Sequence, residues 1–279
     1  MRVDKDLLLF DNRAKINYAS GGFAAGVDVG GHTNFGSQQQ WVTRHSSLRG
    51  GMDGGAWSLV FVGVDGAPPT RPRTARGPAY STVNSSPTVA EKPYVSIGDD
   101  GKFLLMIPQY KTGAVGASIG AEDADAVPFE RVFVARDDRH GSTEIQAALD
   151  QGYHILFSPG IYYLSDALLV KGQGQVLLGI GMATLVSSTN GCIKVKSEAK
   201  GVRIAGLTLQ ASIGYPECLM EIGEESKPSG DAASPCVLSD IFIRVGGPLM
   251  RDGKPHREAI KVGSMVMINS NYTIGDNLW

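Results

Sequence analysis

The sequence is informative first through what it lacks. No run of eighteen apolar residues occurs, so no helix is predicted to cross a membrane. The opening "MRVDKDLLLFDNRAK" has no signal-peptide apolar region, because "DLLLF" is short and flanked by acidic residues. Neither sign of charge dominates. Lys+Arg number 26 against 28 Asp+Glu, for a formal net charge of -2, with no long charge runs. That balance excludes the basic footprint of a nucleic-acid or anionic-membrane binder and leaves an uncharged, extended or small-molecule partner. Cysteine is scarce, at 3. Cys218 and Cys236 bracket a Gly/Ser/Pro-rich loop and would close it in an oxidising compartment; three unpaired thiols is the alternative. His32, His45, His140, His154 and His256 are scattered without zinc-ligand spacing, and no serine elbow accompanies them. "VLLGIGMATL" offers Gly179 and Gly181 after a strand but no third glycine and no helix, so it is not a dinucleotide fingerprint. No metal site and no cofactor is predicted.

What the chain does have is glycine, 36 residues, with 14 prolines, the composition of a turn-rich protein built from strands. One short helix is predicted over 142–151: Ser142 or Thr143 to cap it, Ile145, Ala148 and Leu149 as its apolar face, Gly152 to end it. After it come apolar runs of four to six residues, "HILFS", "IYYL", "ALLVK", "QVLLGI", "ATLVS", "CIKVK" and "VRIAGLTLQ", separated by Gly, Pro, Ser, Asn or charge. Internal similarity selects among strand-rich folds. "ILFSPGIYYL" overlays "VLLGIGMATL" at an offset of 21, Ile155 on Val176. "RIAGLTLQA" overlays "LSDIFIRVG" at 34, placing Ile204 on Leu238 and Leu209 on Ile243. Strand repeats of some twenty residues, lengthened by insertions such as "GEESKPSGDAASP", predict an all-β parallel β-helix in which each coil is the floor of the next. The helix is expected to cover the open first coil.

Upstream the chain divides into three expected parts. Residues 1–65 are a strand-rich segment, read as the last coils of a first β-helix. Residues 66–130 form a connector, Pro-rich and irregular over 66–93, with a β-hairpin at 94–108 turning at Asp99, Asp100 and Gly101. Residues 131–279 hold the capping helix and first coils of a β-helix, incomplete at its C-terminal end: "IGDNLW" matches the start of the "LSDIF" strand, so the sequence is expected to break off inside a coil and to be a piece of something longer.

The string "STEIQAALDQGYHILFSPGIYYLSDALLV", a helix followed by an apolar strand, a Pro-Gly turn and an aromatic, resembles the opening of pectate-lyase-like right-handed β-helix proteins. Two β-helical units joined by a connector resemble glycoside hydrolase family 55, the inverting β-1,3-glucanases. The resemblance implies a right-handed solenoid and a polysaccharide partner such as a β-1,3-glucan. It implies an extracellular setting and, for a full-length protein, hydrolysis by acid/base catalysis. A noncatalytic polysaccharide-binding or surface module and a polysaccharide lyase are the alternatives, and the oligomeric state is left open.

Inverting hydrolysis needs two carboxyl groups far enough apart to admit a water. Asp240 in "LSDIF" and Asp276 in "IGDNLW" occupy matching strand positions; equivalent positions on adjacent coils lie about 4.8 Å apart, and the competing role for both is to satisfy turn amides at a coil corner. Glu258 in "KPHREAIKV" is the third candidate. Trp41 and Trp57 are candidate sugar platforms, with core packing the alternative. Gln38, Gln39, Gln40 and Arg44 form a row of donors and acceptors suited either to sugar hydroxyls or to a side-chain ladder.

Overall fold

The computed structural model describes residues 1–10, 19–75, 77–118, 123–212, 216–223 and 231–244, and the backbone of three further strands beyond them. The chain forms two compact units, Met1–Glu91 with Gln109–Ala124, and Lys92–Pro108 with Asp125–Trp279.

The first unit winds three strands per coil: β1 (Arg2–Val3), β2 (Leu7–Leu8) and β3 (Gly22–Ala25), then β4 (Asp28–Val29), β5 (Thr33–Asn34) and β6 (Gln40–Arg44), then β7 (Ser47–Leu48), β8 (Met52–Asp53) and β9 (Ser58–Val62). Every like strand pairs in parallel with its successor; Asp28 lies opposite Ser47 and Thr33 opposite Met52. Two strands, β10 (Ala79–Val83) and β11 (Ser86–Val89), form inside the Pro-rich stretch where no periodicity announces them. Their partners are remote. β10 is held residue for residue on β9, with Tyr80 beside Leu59 and Thr82 beside Phe61. Phe35, Phe61 and Tyr80 stack edge to face down the middle of these coils, with centroids 6.0 Å apart at both steps. Buried aromatics in this geometry contribute beyond their area.

In the second unit, β12 (Tyr94–Ile97) and β13 (Phe103–Pro108) make the expected antiparallel hairpin. The chain then returns to the first unit as β14 (Lys111–Ala114), antiparallel to β11. It re-enters through β15 (Ala124–Pro128), which completes a three-stranded sheet with β12 and β13. After β16 (Val132–Ala135) and α1 (Ser142–Asp150) come the coils. They are β17 (His154–Phe157), β18 (Ile161–Tyr163) and β19 (Leu168–Val170); β20 (Val176–Gly179), β21 (Thr184–Val186) and β22 (Ile193–Val195); β23 (Arg203–Ala205), β24 (Thr208–Gln210) and β25 (Cys218–Ile222); and β26 (Val237–Ser239) with β27 (Phe242–Arg244). The backbones of β28 (Leu249–Arg251), β29 (Lys254–His256) and β30 (Met265–Ile268) follow, β30 pairing with β25. Three parallel sheets result, β16-β17-β20-β23-β26, β18-β21-β24-β27 and β19-β22-β25-β30, which is the right-handed parallel β-helix the sequence predicts. Its interior is a continuous column of side chains, with Ile155, Leu177, Leu185, Ile193 and Leu209 fully buried. Each such residue contributes roughly 1.5–3 kcal/mol by leaving water.

Two details differ from the sequence expectations. Ile155 pairs with Leu177 rather than Val176, and the next strands pair Ile161 with Thr184 and Leu168 with Ile193, so the offset of 21 is wrong. A one-residue slip exchanges the inner and outer faces of a strand. The pattern could not betray it here, because Leu156, Val176 and Leu178 on the outer face are also buried, under Leu105 and Val95 of the hairpin. The offset of 34 is right, with Ile204 opposite Leu238 and Leu209 opposite Ile243. Second, α1 is capped by Gly141: its N–H donates to the Glu144 carboxylate at 2.9 Å, while Ser142 Oγ accepts from Ser165 N–H across the coil. Of the two states left open for the cysteines, the structure has the one without a disulfide: Cys192, Cys218 and Cys236 are buried thiols, Cys218 on β25 and Cys236 just before β26 in a different sheet, with Cys236 Sγ donating to Ala199 O at 3.4 Å.

Ile145, Ala148 and Leu149 of α1 enter the core as expected, and Gly152 leaves the helix at φ 82. The helix also replaces a missing neighbour of β19. Gln146 Oε1 accepts from Leu169 N–H at 2.8 Å and its Nε2 donates to Leu169 O at 3.0 Å, as an adjoining strand would. An edge left bare would carry unpaired backbone groups open to association.

Candidate functional site

The turns joining the first and second strands of successive coils form one corner of the second unit. The pairing of Leu178 with Ala205 and of Ala205 with Ser239 stacks Gly179, Gly206 and Asp240 in one column. The column needs glycine. A Cβ on Gly206, at φ +65, would sit 2.4 Å from Gly179 O, and one on Gly179 would sit 2.3 Å from Gly206 O. Asp240 keeps the same left-handed backbone, φ 54, on the next coil. Asp tolerates that conformation better than most residues but at some cost, and a non-glycine outlier of this kind motivates a functional assignment.

Beside this corner runs a groove of about 640 Å³, walled on the other side by Lys92, Pro93 and Tyr94. Lys92 Nζ donates to Asp240 Oδ2 at 2.5 Å. The remaining lining is neutral. Tyr94, Ile180 and Phe242 stand 43%, 42% and 62% exposed, enough flat and apolar surface to meet a ligand, and Thr208 adds a hydroxyl. Asp240 supplies the only carboxylate among the described lining residues, and no group of three metal-ligating side chains occurs among the described residues. Apolar faces of this kind suit an uncharged ligand, and an exposed ion pair can offer hydrogen bonds to hydroxyls.

Glu258 and Asp276 lie outside the described residues. The first-unit candidates separate by burial. Gln38 is buried, its amide donating to Leu9 O at 2.5 Å. Arg44 is buried and holds Glu91 Oε2 at 3.0 Å. Trp41 packs edge-on against Phe35 at 5.8 Å, and Gln39 is half-buried. Gln40 and Trp57 are exposed, and Trp57 N–H donates to Gln39 O on the preceding coil. Reasoning from sequence missed Lys92, Tyr94 and Phe242. Lys92 and Asp240 are 148 residues apart, so nothing local joins them. Phe242 could have been found, because it alternates with the inward Ile241 and Ile243 and must point out.

Residues 132–279 match the LAM55 pectate lyase-like domain. The chain is 35% identical over 266 residues to an exo-beta-1,3-glucanase of Streptomyces sp. (strain SirexAA-E / ActE), covering 94% of this chain and 41% of that protein. The solved structure of sacteLam55A from Streptomyces sp. SirexAA-E superposes with a TM-score of 0.77 at 33% identity, over 89% of this chain and 44% of that one. A variant of the same protein in complex with glucose gives 0.77 at 30% identity, over 99% and 49%. The chain thus spans about two fifths of the length of the curated relative it matches. The family's model covers more than half of this sequence, and the chain belongs to the LAM55 pectate lyase-like family.

Proposed function

We propose that this chain is part of a β-1,3-glucan hydrolase, and that the corner groove of the second unit binds the glucan. The observation that carries the substrate class is the 35% identity, across nearly the whole chain, to a protein named for exo-β-1,3-glucanase activity. The groove suits that substrate: its described lining is neutral apart from one ion pair and is flanked by exposed Tyr94 and Phe242. A lyase acting on an anionic polymer would need free cations, and the groove's lysine is already engaged by Asp240. A glucan of the cell exterior as substrate would place the protein outside the cell.

In this proposal hydrolysis proceeds with inversion by a carboxyl pair, drawn from Asp240, Glu258 and Asp276, held far enough apart for a water to attack the anomeric carbon while the acid protonates the leaving oxygen. Asp240 has a second assignment, gripping a sugar hydroxyl with Lys92, and with no other carboxylate among the described lining residues it also suits a noncatalytic binding module. One assay separates these. Laminarin is incubated with the chain and with Asp240→Asn, reducing ends are counted, and the first-formed anomer is read by NMR. Loss of an acid or base lowers kcat by about 100-fold or more, whereas loss of a gripping contact raises KM with kcat nearly intact. Laminarin retained on an affinity gel with no reducing ends released would establish the binding module instead.

A further inference from the structure

We infer that the second unit carries another carbohydrate-binding groove, between α1 and the β19-β22 face, selective for uncharged oligosaccharides. This groove of about 730 Å³ shares no lining residue with the corner groove. Its volume lies within the range of small-ligand sites.

Its chemistry is specific in what it pairs. Asp150 Oδ1 accepts from Lys171 Nζ at 3.2 Å and from Gln146 Nε2 at 3.1 Å. Asp166 Oδ1 accepts from Asn190 Nδ2 at 2.9 Å and from Ala167 N–H at 2.8 Å. These donors hold the Asp166 carboxyl below the ordinary carboxylate range, Asn190 contributing most. Lys194 Nζ lies 3.5 Å from Glu221 Oε2. The two carboxylates and two ammonium groups among the described lining residues therefore balance, and each is already engaged on one side. Among the described residues a free cation finds no cluster of unpaired oxygens, and a free anion finds no unengaged lysine. A hydroxyl, which donates and accepts at once, fits this alternation, supplemented by Thr143 and Ser165. Ala147, Ala167 and Leu169 supply a small apolar floor, suited to the C–H face of a pyranose. The site is built rather than accidental in one further respect. Gln146 is locked by its two bonds to Leu169, which fixes α1 as a wall against β19.

The proposed glucanase activity enters only through the choice of first probe. Laminarihexaose, cellohexaose, mannohexaose and a charged control, hexagalacturonate, are titrated calorimetrically into the 279-residue chain, its double variant Asn190→Ala/Lys171→Met, and Phe242→Ala in the corner groove. The expected result is a binding component for at least one neutral hexasaccharide that weakens fivefold or more in the double variant and is unchanged in Phe242→Ala. Acetylation of Lys171 and Lys194 in the unmodified protein should also slow at least twofold with that sugar present, while the hairpin-turn residue Lys102 is unaffected; this arm decides the matter should the double variant fold poorly. Absence of binding by every neutral sugar, binding indifferent to both lysines, or equally tight binding of hexagalacturonate would overturn the inference. If cellohexaose or mannohexaose binds here while laminarihexaose binds nowhere, this groove stands and the β-1,3-glucan assignment falls.

Discussion

At the scale of single residues, the corner column shows how one backbone conformation serves two ends. Gly206 and Asp240 share the left-handed region on successive coils, but only Gly206 is hemmed in by a carbonyl. Gly206→Ala should therefore destabilise the second unit by about 1–3 kcal/mol, since it adds strain and a Cβ overlap together. Asp240→Gly should leave stability within about 1 kcal/mol, because relief of backbone strain offsets the exposed ion pair with Lys92, and should weaken laminarin binding. Denaturant titration of both variants checks the contrast; equal losses would mean Asp240 is held by structure and not by its ligand. Asp240 could be singled out in the sequence as a corner carboxylate, because "LSDIF" repeats the "RIAGL" strand with Asp where Gly stands. Its ion pair could not, since charge pairing across 148 residues leaves no periodic trace.

At the scale of elements, what was legible was whatever alternates or repeats against a fixed background. The helix face Ile145, Ala148 and Leu149 could be read from spacing alone. The β20 register could not, because a strand covered on both faces loses its alternation. The edge of β19 shows a third case. Nothing in its local spacing distinguishes Gln146, and its function as a surrogate strand depends on where the chain returns 23 residues later. Gln146→Ala should leave both backbone groups of Leu169 without these partners and cost about 2–3 kcal/mol. Glu144→Ala, which loses only the cap to Gly141, should cost about 0.5–1 kcal/mol. Guanidinium titration ranks the two, and a larger loss for Glu144→Ala would show that α1 is stabilised by its own end rather than by the coil it covers.

At the scale of the whole molecule, buried titratable groups make stability depend on pH, and the first unit holds two of them. His45 is 1% exposed, its two ring nitrogens have no hydrogen-bond partner among the described residues, and its backbone is left-handed at φ 47. Burial lowers its pKa from the ordinary 6.5, and the charges around it oppose one another: Glu91 and Asp123 would raise it, Arg44 and Lys111 lower it. The sign follows directly. Above pH about 6.5 neither the folded nor the unfolded state binds this proton, so stability is flat. Below it the unfolded chain takes up a proton that the folded chain refuses, and stability falls with a slope approaching roughly 1.4 kcal/mol per pH unit until the folded pKa is passed. Asp28, whose carboxyl Arg49 and then Arg2 hold below 3.8, adds a second loss at more acid pH, in the same direction. His45→Asn keeps a side chain that tolerates the left-handed backbone and cannot titrate. Melting the chain and this variant between pH 7.5 and 5, with Trp57→Phe and Trp279→Phe in both so that the fluorescence of Trp41 against Phe35 reports the first unit, should show a falling Tm with His45 present and a flatter profile in the variant. Parallel profiles would assign the acid loss to other groups, with His154 of the second unit, also lowered by burial, the next to replace.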